Sequence, residues 1–264
     1  MQIIRDLPRL RIARASLDGT VAIVPTMGAL HAGHIKLVEA AKAQADHVVA
    51  SIFVNPTQFA PTDDLSRYPR REAEDAVMLA DAGVAILWAP DVDVMYPDGF
   101  ATTISVAGVS EGLCGASRPG HFDGVATVVN KLFGQVRPDI ALFGEKDWQQ
   151  LQVIRRMVID LDLGIDIIGV PTEREADGLA MSSRNAYLSA ADRVAAVALP
   201  NALITAASAL ATGGDETVIL DQARSAITAA GFKIDYVARR EDRLLAAARI
   251  GSTRLIDNFP IFPR

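Results

Sequence analysis

Along the first two thirds of the chain, short continuous apolar runs alternate with longer stretches whose apolar residues recur at helical spacing. The short runs are residues 21–24, 48–54, 84–88, 140–143 and 165–170, closed by Pro25, Asn55-Pro56, Ala89-Pro90, Gly144 and Pro171. Runs of that length between such breakers read as strands buried on both faces. Residues 33–45 place Ile35, Leu37, Val38, Ala41 and Ala45 along one helical face, and 71–82, 124–136 and 148–161 are helical too. Strand and helix in alternation predict an α/β fold, a Rossmann-like parallel sheet flanked by helices. Ligands in such sheets bind beyond the carboxyl ends of the strands. This chain carries Pro25-Thr26-Met27-Gly28, Asn55-Pro56-Thr57-Gln58 and Gly144-Glu145-Lys146-Asp147 at those ends.

Past Pro171 the texture changes. Residues 191–211 and 216–230 are alanine-rich helical stretches, and 234–237 and 253–257 read as strands. The expected division is residues 1–171 as the ligand-binding Rossmann-like domain and 172–264 as a smaller α+β domain.

Half of the 264 residues are hydrophobic, enough for a substantial core. A net charge of -6 without a lysine- or arginine-rich block argues against nucleic acid as a partner. It leaves room for basic side chains gathered locally around a phosphate. The single cysteine, Cys114, excludes an intrachain disulfide and suits a reducing cytoplasm; with no histidine close by, it reads as a small loop residue. No signal peptide is legible, and no uninterrupted apolar run reaches the roughly 20 residues of a membrane span. The expectation is a soluble cytoplasmic protein without a membrane partner.

The strongest local signal is Pro25-Thr26-Met27-Gly28-Ala29-Leu30-His31-Ala32-Gly33-His34, between a strand and a helix. His31 and His34 are three apart, on neighbouring parts of one helical face. Gly28 and Gly33 allow a tight turn and the approach of a bulky anion. A helix N-terminus offers N–H groups and a positive dipole end to phosphate, and imidazoles there donate to the charge of a phosphoryl transition state. A metal-binding or surface pair is the alternative, weakened because no third ligand stands at suitable spacing.

His-x-Gly-His after a strand is the signature of the nucleotidylyltransferase superfamily, which includes class I aminoacyl-tRNA synthetases. The longer segment 25–34 resembles the pantothenate synthetase (pantoate–β-alanine ligase) family. Further segments agree in order: Phe53-Val54-Asn55-Pro56-Thr57-Gln58-Phe59, Arg118-Pro119-Gly120-His121-Phe122-Asp123-Gly124-Val125, residues 143–151, Asp177-Gly178-Leu179-Ala180-Met181-Ser182-Ser183-Arg184-Asn185, and residues 248–258. The resemblance covers nearly the whole chain.

That resemblance implies an AMP-forming ligase with ATP as a substrate and magnesium as its companion. Pantoate attacks the α-phosphorus of ATP, and β-alanine then displaces AMP from pantoyl-adenylate. His31 and His34 match the pair that stabilises the transferring phosphate, with His34 the proton donor. Met27, Gly28, Ala29, Leu30, Ala32 and Gly33 line the nucleotide. Lys146 meets the ATP phosphates, Gly144 and Glu145 belong to the nucleotide-binding positions, Asp147 meets the ribose, and the backbone of Glu173 the adenine. Met181, Ser182, Ser183 and Arg184 match a mobile phosphate-gripping loop. Pro25, Thr26, Met27, Asn55, Gln58, Tyr68 and Gln150 face pantoate, Gln58 lies also near β-alanine, and Arg118 closes the site. Asp75, in Glu74-Asp75 where the family often has two aspartates, is the magnesium candidate. The resemblance also implies a homodimer and a C-terminal domain that closes over the site.

Plain readings stand beside several of these: a solvated lysine at 146, a helix cap at Asp147, a turn at Asn55, packing or surface at Tyr68 and Arg118. Two other functions compete with the ligase. One is another nucleotidyltransferase that releases its adenylyl or cytidylyl product; the other is a non-catalytic ATP-binding module.

Overall fold

The computed structural model describes residues 1–60 and 65–262. Pro263 and Arg264, in the expected range 172–264, lie outside the described residues. The chain divides into two compact units, Met1–Glu145 with Gln149–Pro171, and Lys146–Trp148 with Thr172–Arg264.

In the first unit, β1 (Gln2–Ile4), β2 (Val21–Thr26), β3 (His47–Ile52), β4 (Ile86–Trp88), β5 (Ile140–Gly144) and β6 (Asp166–Val170) form a parallel sheet among the described residues. Its order is β1-β4-β3-β2-β5-β6. The connecting helices are α1 (Leu7–Ala15), α2 (Ala32–Lys42), α3 (Glu72–Asp81), α4 (Val92–Met95), α5 (Leu113–Ser117), α6 (His121–Val136) and α7 (Trp148–Asp160). Burial of β2 and β3 on both faces explains their unbroken apolar runs. Leu37, Val38, Ala41 and Leu79 of α2 and α3 pack over Val24, Val48, Ala50, Leu87 and Leu142 of the sheet.

Chain order reverses between β2 and β5, the place where such sheets open a crevice. β2 pairs with β3 over its whole length, but with β5 only at Ala22 and Ile23. Pro25, which has no N–H to donate, therefore lies beyond the last pairing with β5. The segments after Thr26 and Gly144 leave the sheet on either side of that opening.

The second unit contains α8 (Ala190–Ala196), α9 (Ala198–Ala211), α10 (Glu216–Ala229) and the antiparallel meander β7 (Lys233–Arg240), β8 (Arg243–Ile250), β9 (Thr253–Pro260). The helix expected over 191–211 is interrupted at Val197, the residue that caps both pieces. The run Ala190–Ala211 is long and apolar enough to cross a membrane by length and composition. Leu199, Leu203, Ala206 and Leu210 nevertheless bury into the core of this unit, and α9 packs on β8 and β9. It is a core helix.

Candidate active site

The turn after β2 is held from beneath. Gly28 and Ala29 both take positive φ, 82° and 52°. The carboxylate of Asp75, from the first turn of α3, accepts the N–H of Ala29 and of Leu30, each at 2.8 Å. Asp75 is only 2% exposed. A Cβ on Gly28 would stand 3.0 Å from its Oδ2, a tight contact that adds to the preference for glycine set by φ. Thr26 adds a second tie, with its hydroxyl donating to the Ser51 carbonyl and accepting the Gly28 N–H.

That turn delivers His31 as the N-cap of α2. Its Nδ1 accepts the Gly33 N–H at 3.2 Å, and Nδ1 of His34 accepts the His31 N–H at 3.3 Å. The two imidazoles thus form a reciprocal capping box. Their ring centroids are 4.1 Å apart. A backbone N–H only donates, so each Nδ1 is an acceptor and each neutral ring carries its proton on Nε2. Both rings present an Nε2–H donor at a helix N-terminus, the geometry a phosphate needs.

Asn55 and Gln58 follow β3. Asn55 is 1% exposed and its amide is fully engaged within the protein. Its Nδ2 donates to Gln58 Oε1 and to the Gly124 carbonyl, both at 3.1 Å. Its Oδ1 accepts from the Thr57 N–H, the Thr57 hydroxyl and the Tyr96 hydroxyl. Every donor and acceptor of the Asn55 side-chain amide is spent on protein, which gives that side chain a supporting role beside Gln58. Gln58, half-buried, turns its Nε2 toward Met27, 3.2 Å from the sulfur. A thioether is a weak acceptor, so the amide keeps donor capacity for a carboxylate.

Arg118 and His121 converge on the backbone of Gln58. Arg118 Nη2 donates to the Gln58 carbonyl at 3.2 Å, and His121 Nδ1 lies 2.9 Å from the same oxygen. Arg118 Nη1 meets His121 Nε2 at 3.0 Å. The carbonyl requires a proton on Nδ1 of His121, leaving Nε2 to accept from Arg118. Tyr68 is buried edge-on against Phe59. Gln150 is half-buried on α7. Its neighbour Gln149 accepts the Cys114 N–H and donates to the carbonyls of Val109, Glu111 and Gly112, pinning that segment to α7.

Lys146, Ser182, Asn185 and Asp257 line a cavity of about 10 Å³ in the second unit, room for about one water. Burial pushes the Lys146 ammonium below the usual lysine range; Asp147 and Asp257 oppose that, while Arg184 and Arg174 reinforce it. Asn258 donates to the Lys146 carbonyl at 3.0 Å and accepts from Arg243. Arg174 grips buried Asp257 with two bonds of 2.8 Å and stacks over Phe259. Ser182 caps the short 3-10 turn Ser183–Tyr187 by accepting the Arg184 N–H, which leaves its own proton to donate. The Glu173 carbonyl accepts the Met181 N–H in a tight hairpin turning at Gly178. Asp147 is exposed.

Asp75 carries a structural task beside the magnesium role expected of it, each of its oxygens receiving one backbone N–H group. Among the described residues no group of three or more His, Cys, Asp or Glu side chains is placed to hold a metal. Residues not foreseen are Tyr96, Gly124, Gln149, Arg174, Asp257 and Asn258. Gly124 and Gln149 carried a hint, as a glycine inside a helical run and a second glutamine beside Gln150, and Asp257 and Asn258 fell inside the family-like segment 248–258; Tyr96 and Arg174 carried none.

The profile of the pantoate–β-alanine ligase family matches residues 2–260. The chain is 60% identical to a pantothenate synthetase of Sphingopyxis alaskensis, across 99% of this chain and 100% of the relative. A second, from Rhizorhabdus wittichii, is 59% identical across 100% and 99%. Crystal structures agree in fold. Pantothenate synthetase from Thermus thermophilus superposes with a TM-score of 0.94 at 45% identity, covering all of both chains. The Francisella tularensis ligase, solved with β-γ ATP and β-alanine, gives 0.90 at 37% identity over 99% of this chain and 98% of its own.

Proposed function

The chain belongs to the pantoate–β-alanine ligase family, and from that premise we propose how its own residues carry out the reaction. The enzyme is an ATP-dependent ligase that produces pantothenate. In the proposed first step a pantoate carboxylate oxygen attacks the α-phosphorus of ATP and pyrophosphate leaves. In the second, the neutral amine of β-alanine attacks the acyl carbon of pantoyl-adenylate, the C–O bond to AMP breaks, and the amide nitrogen loses its extra proton to solvent as AMP leaves.

The observation that carries this reading is the pair of Nε2–H donors fixed by reciprocal caps at the start of α2. They hydrogen-bond the α-phosphate as charge builds on it, His34 keeping its Nε2 proton while it donates, because its Nδ1 is spent as an acceptor. Preorganised donors of this kind are worth most because nothing has to reorient during the reaction. Gln58 and Gln150 hold the pantoate carboxylate with neutral amides, so the nucleophile keeps its charge. Lys146, Ser182, Ser183 and Arg184 supply the donors for the triphosphate, and Glu173 and Asp147 the contacts to adenosine. The β-γ ATP and β-alanine in the Francisella tularensis relative support both as substrates here.

Magnesium enters this proposal with ATP; among the described residues no group of three or more His, Cys, Asp or Glu side chains gathers to hold it, and no step is assigned to it. A homodimer and a cytoplasmic location belong to the same reading, tested by the mass of the purified protein in solution and by cell fractionation. The reaction is tested by incubating enzyme with ATP, magnesium and pantoate, with and without β-alanine. Sustained AMP and pyrophosphate release that needs both acids supports it; ADP as the product rejects it.

A further inference from the structure

Tyr96 lies just past α4 and carries none of the roles assigned so far. Its hydroxyl donates to Asn55 Oδ1 at 2.8 Å, across 41 positions of sequence. The direction of every bond around Asn55 is fixed by chemistry. The Gly124 carbonyl only accepts, which identifies the Asn55 nitrogen; the Thr57 N–H only donates, which identifies its oxygen. The nitrogen therefore also meets Gln58, so the Gln58 oxygen faces Asn55 and its NH2 faces Met27.

We infer that Tyr96 is a positioning residue for substrate recognition: through Asn55 it fixes which end of the Gln58 amide is presented to the acid. The inference rests on the reading that Gln58 holds the pantoate carboxylate. Reversal of that amide would set a carbonyl oxygen against a carboxylate, turning attraction into repulsion.

Two of the three donors to Asn55 Oδ1 belong to Thr57 and move with the same loop. Tyr96 ties that oxygen to a separate segment, as Gly124 of α6 ties the nitrogen. The phenol is itself well seated. Its ring lies 6.0 Å from that of Phe53 and 5.0 Å from that of Phe100, whose other neighbour is the Lys131 ammonium, 4.6 Å from the ring centre. Burial raises the Tyr96 hydroxyl above the usual phenol range, so it remains a proton donor throughout the working pH range.

The test is a double-mutant cycle of Tyr96→Phe and Gln58→Ala, read as KM for pantoate and for ATP, with thermal melting as the check on folding. Tyr96→Phe is expected to raise the pantoate KM about three- to tenfold, the effect of one lost neutral hydrogen bond, and to leave the ATP KM within about twofold. In the Gln58→Ala background the same change is expected to add nothing, because the amide it orients is gone. An unaltered pantoate KM in Tyr96→Phe, a parallel rise in both KM values, or a full effect persisting without Gln58 would each overturn the inference while leaving the function intact. A Gln58→Ala enzyme with wild-type pantoate KM would instead remove the assignment of Gln58, and this inference with it.

Discussion

Nδ1 of His34 accepts the backbone N–H of His31 at 3.3 Å. One side chain thereby closes the first turn of α2 and fixes its own tautomer, which joins helix stability to catalytic readiness. The two tasks separate by substitution. His34→Asn keeps an acceptor near the Nδ1 position but loses the Nε2–H donor. It should hold the melting temperature and lose at least about tenfold in kcat, about 1.4 kcal/mol of transition-state stabilisation. His34→Ala should lose both, with a destabilisation of about 1 kcal/mol for the missing cap. Thermal melts beside steady-state rates decide; wild-type kcat in His34→Asn would refute the donor role.

Asp75 is the clamp that holds Ala29 and Leu30 in the turn before the histidines. In Asp75→Asn one backbone N–H must face an amide NH2 or lose its partner. An unmet buried donor costs about 1–3 kcal/mol, so kcat should fall about tenfold or more. The magnesium concentration for half-maximal rate should not move. A large rise in that concentration would return Asp75 to the metal.

Gly124 packs against the loop that carries Gln58. A Cβ there would sit 2.5 Å from the Thr57 oxygen and 2.7 Å from the Gln58 nitrogen, both backbone atoms that cannot rotate away. Gly124→Ala should therefore raise the pantoate KM and destabilise the protein by about 1–3 kcal/mol. Calorimetry with pantoate titrations checks it, and unchanged values would show that the loop yields without consequence.

Lys146 should set an alkaline limit. Burial favours its neutral form, so charge is lost as pH rises through a value below the usual lysine figure of about 10.4. With the cation gone the phosphates lose a partner, and kcat/KM for ATP should fall over that range. Arginine holds its proton at any working pH, so Lys146→Arg should be slower but lack that limb. A limb that persists in the arginine variant contradicts the assignment.

The parallel sheet was legible because its strands are buried on both faces and written as unbroken apolar runs. β1 was not, since only Ile4 of its three residues is buried. β8 was hidden for a different reason. Leu244 to Ala248 are buried in the middle of the meander, and small alanines that let helices pack closely on a sheet look helical by propensity. At the site, the residues named from their motifs were legible as residue types, not as partners. Asn55 and Asp75 show the limit: a buried amide and a buried carboxylate carry the same letters whether they touch substrate or backbone. Tyr96, Arg174 and Asn258 act through contacts 41, 83 and 112 positions away, which no local pattern records.

The central claim is that a pantoate oxygen attacks the α-phosphorus of ATP beside His31 and His34. Pantoate labelled with oxygen-18 in its carboxylate tests that directly, with mass spectrometry of the nucleotide after one turnover in the presence of β-alanine. The account predicts AMP bearing one labelled oxygen. Unlabelled AMP, or label appearing in inorganic phosphate beside ADP, would contradict it.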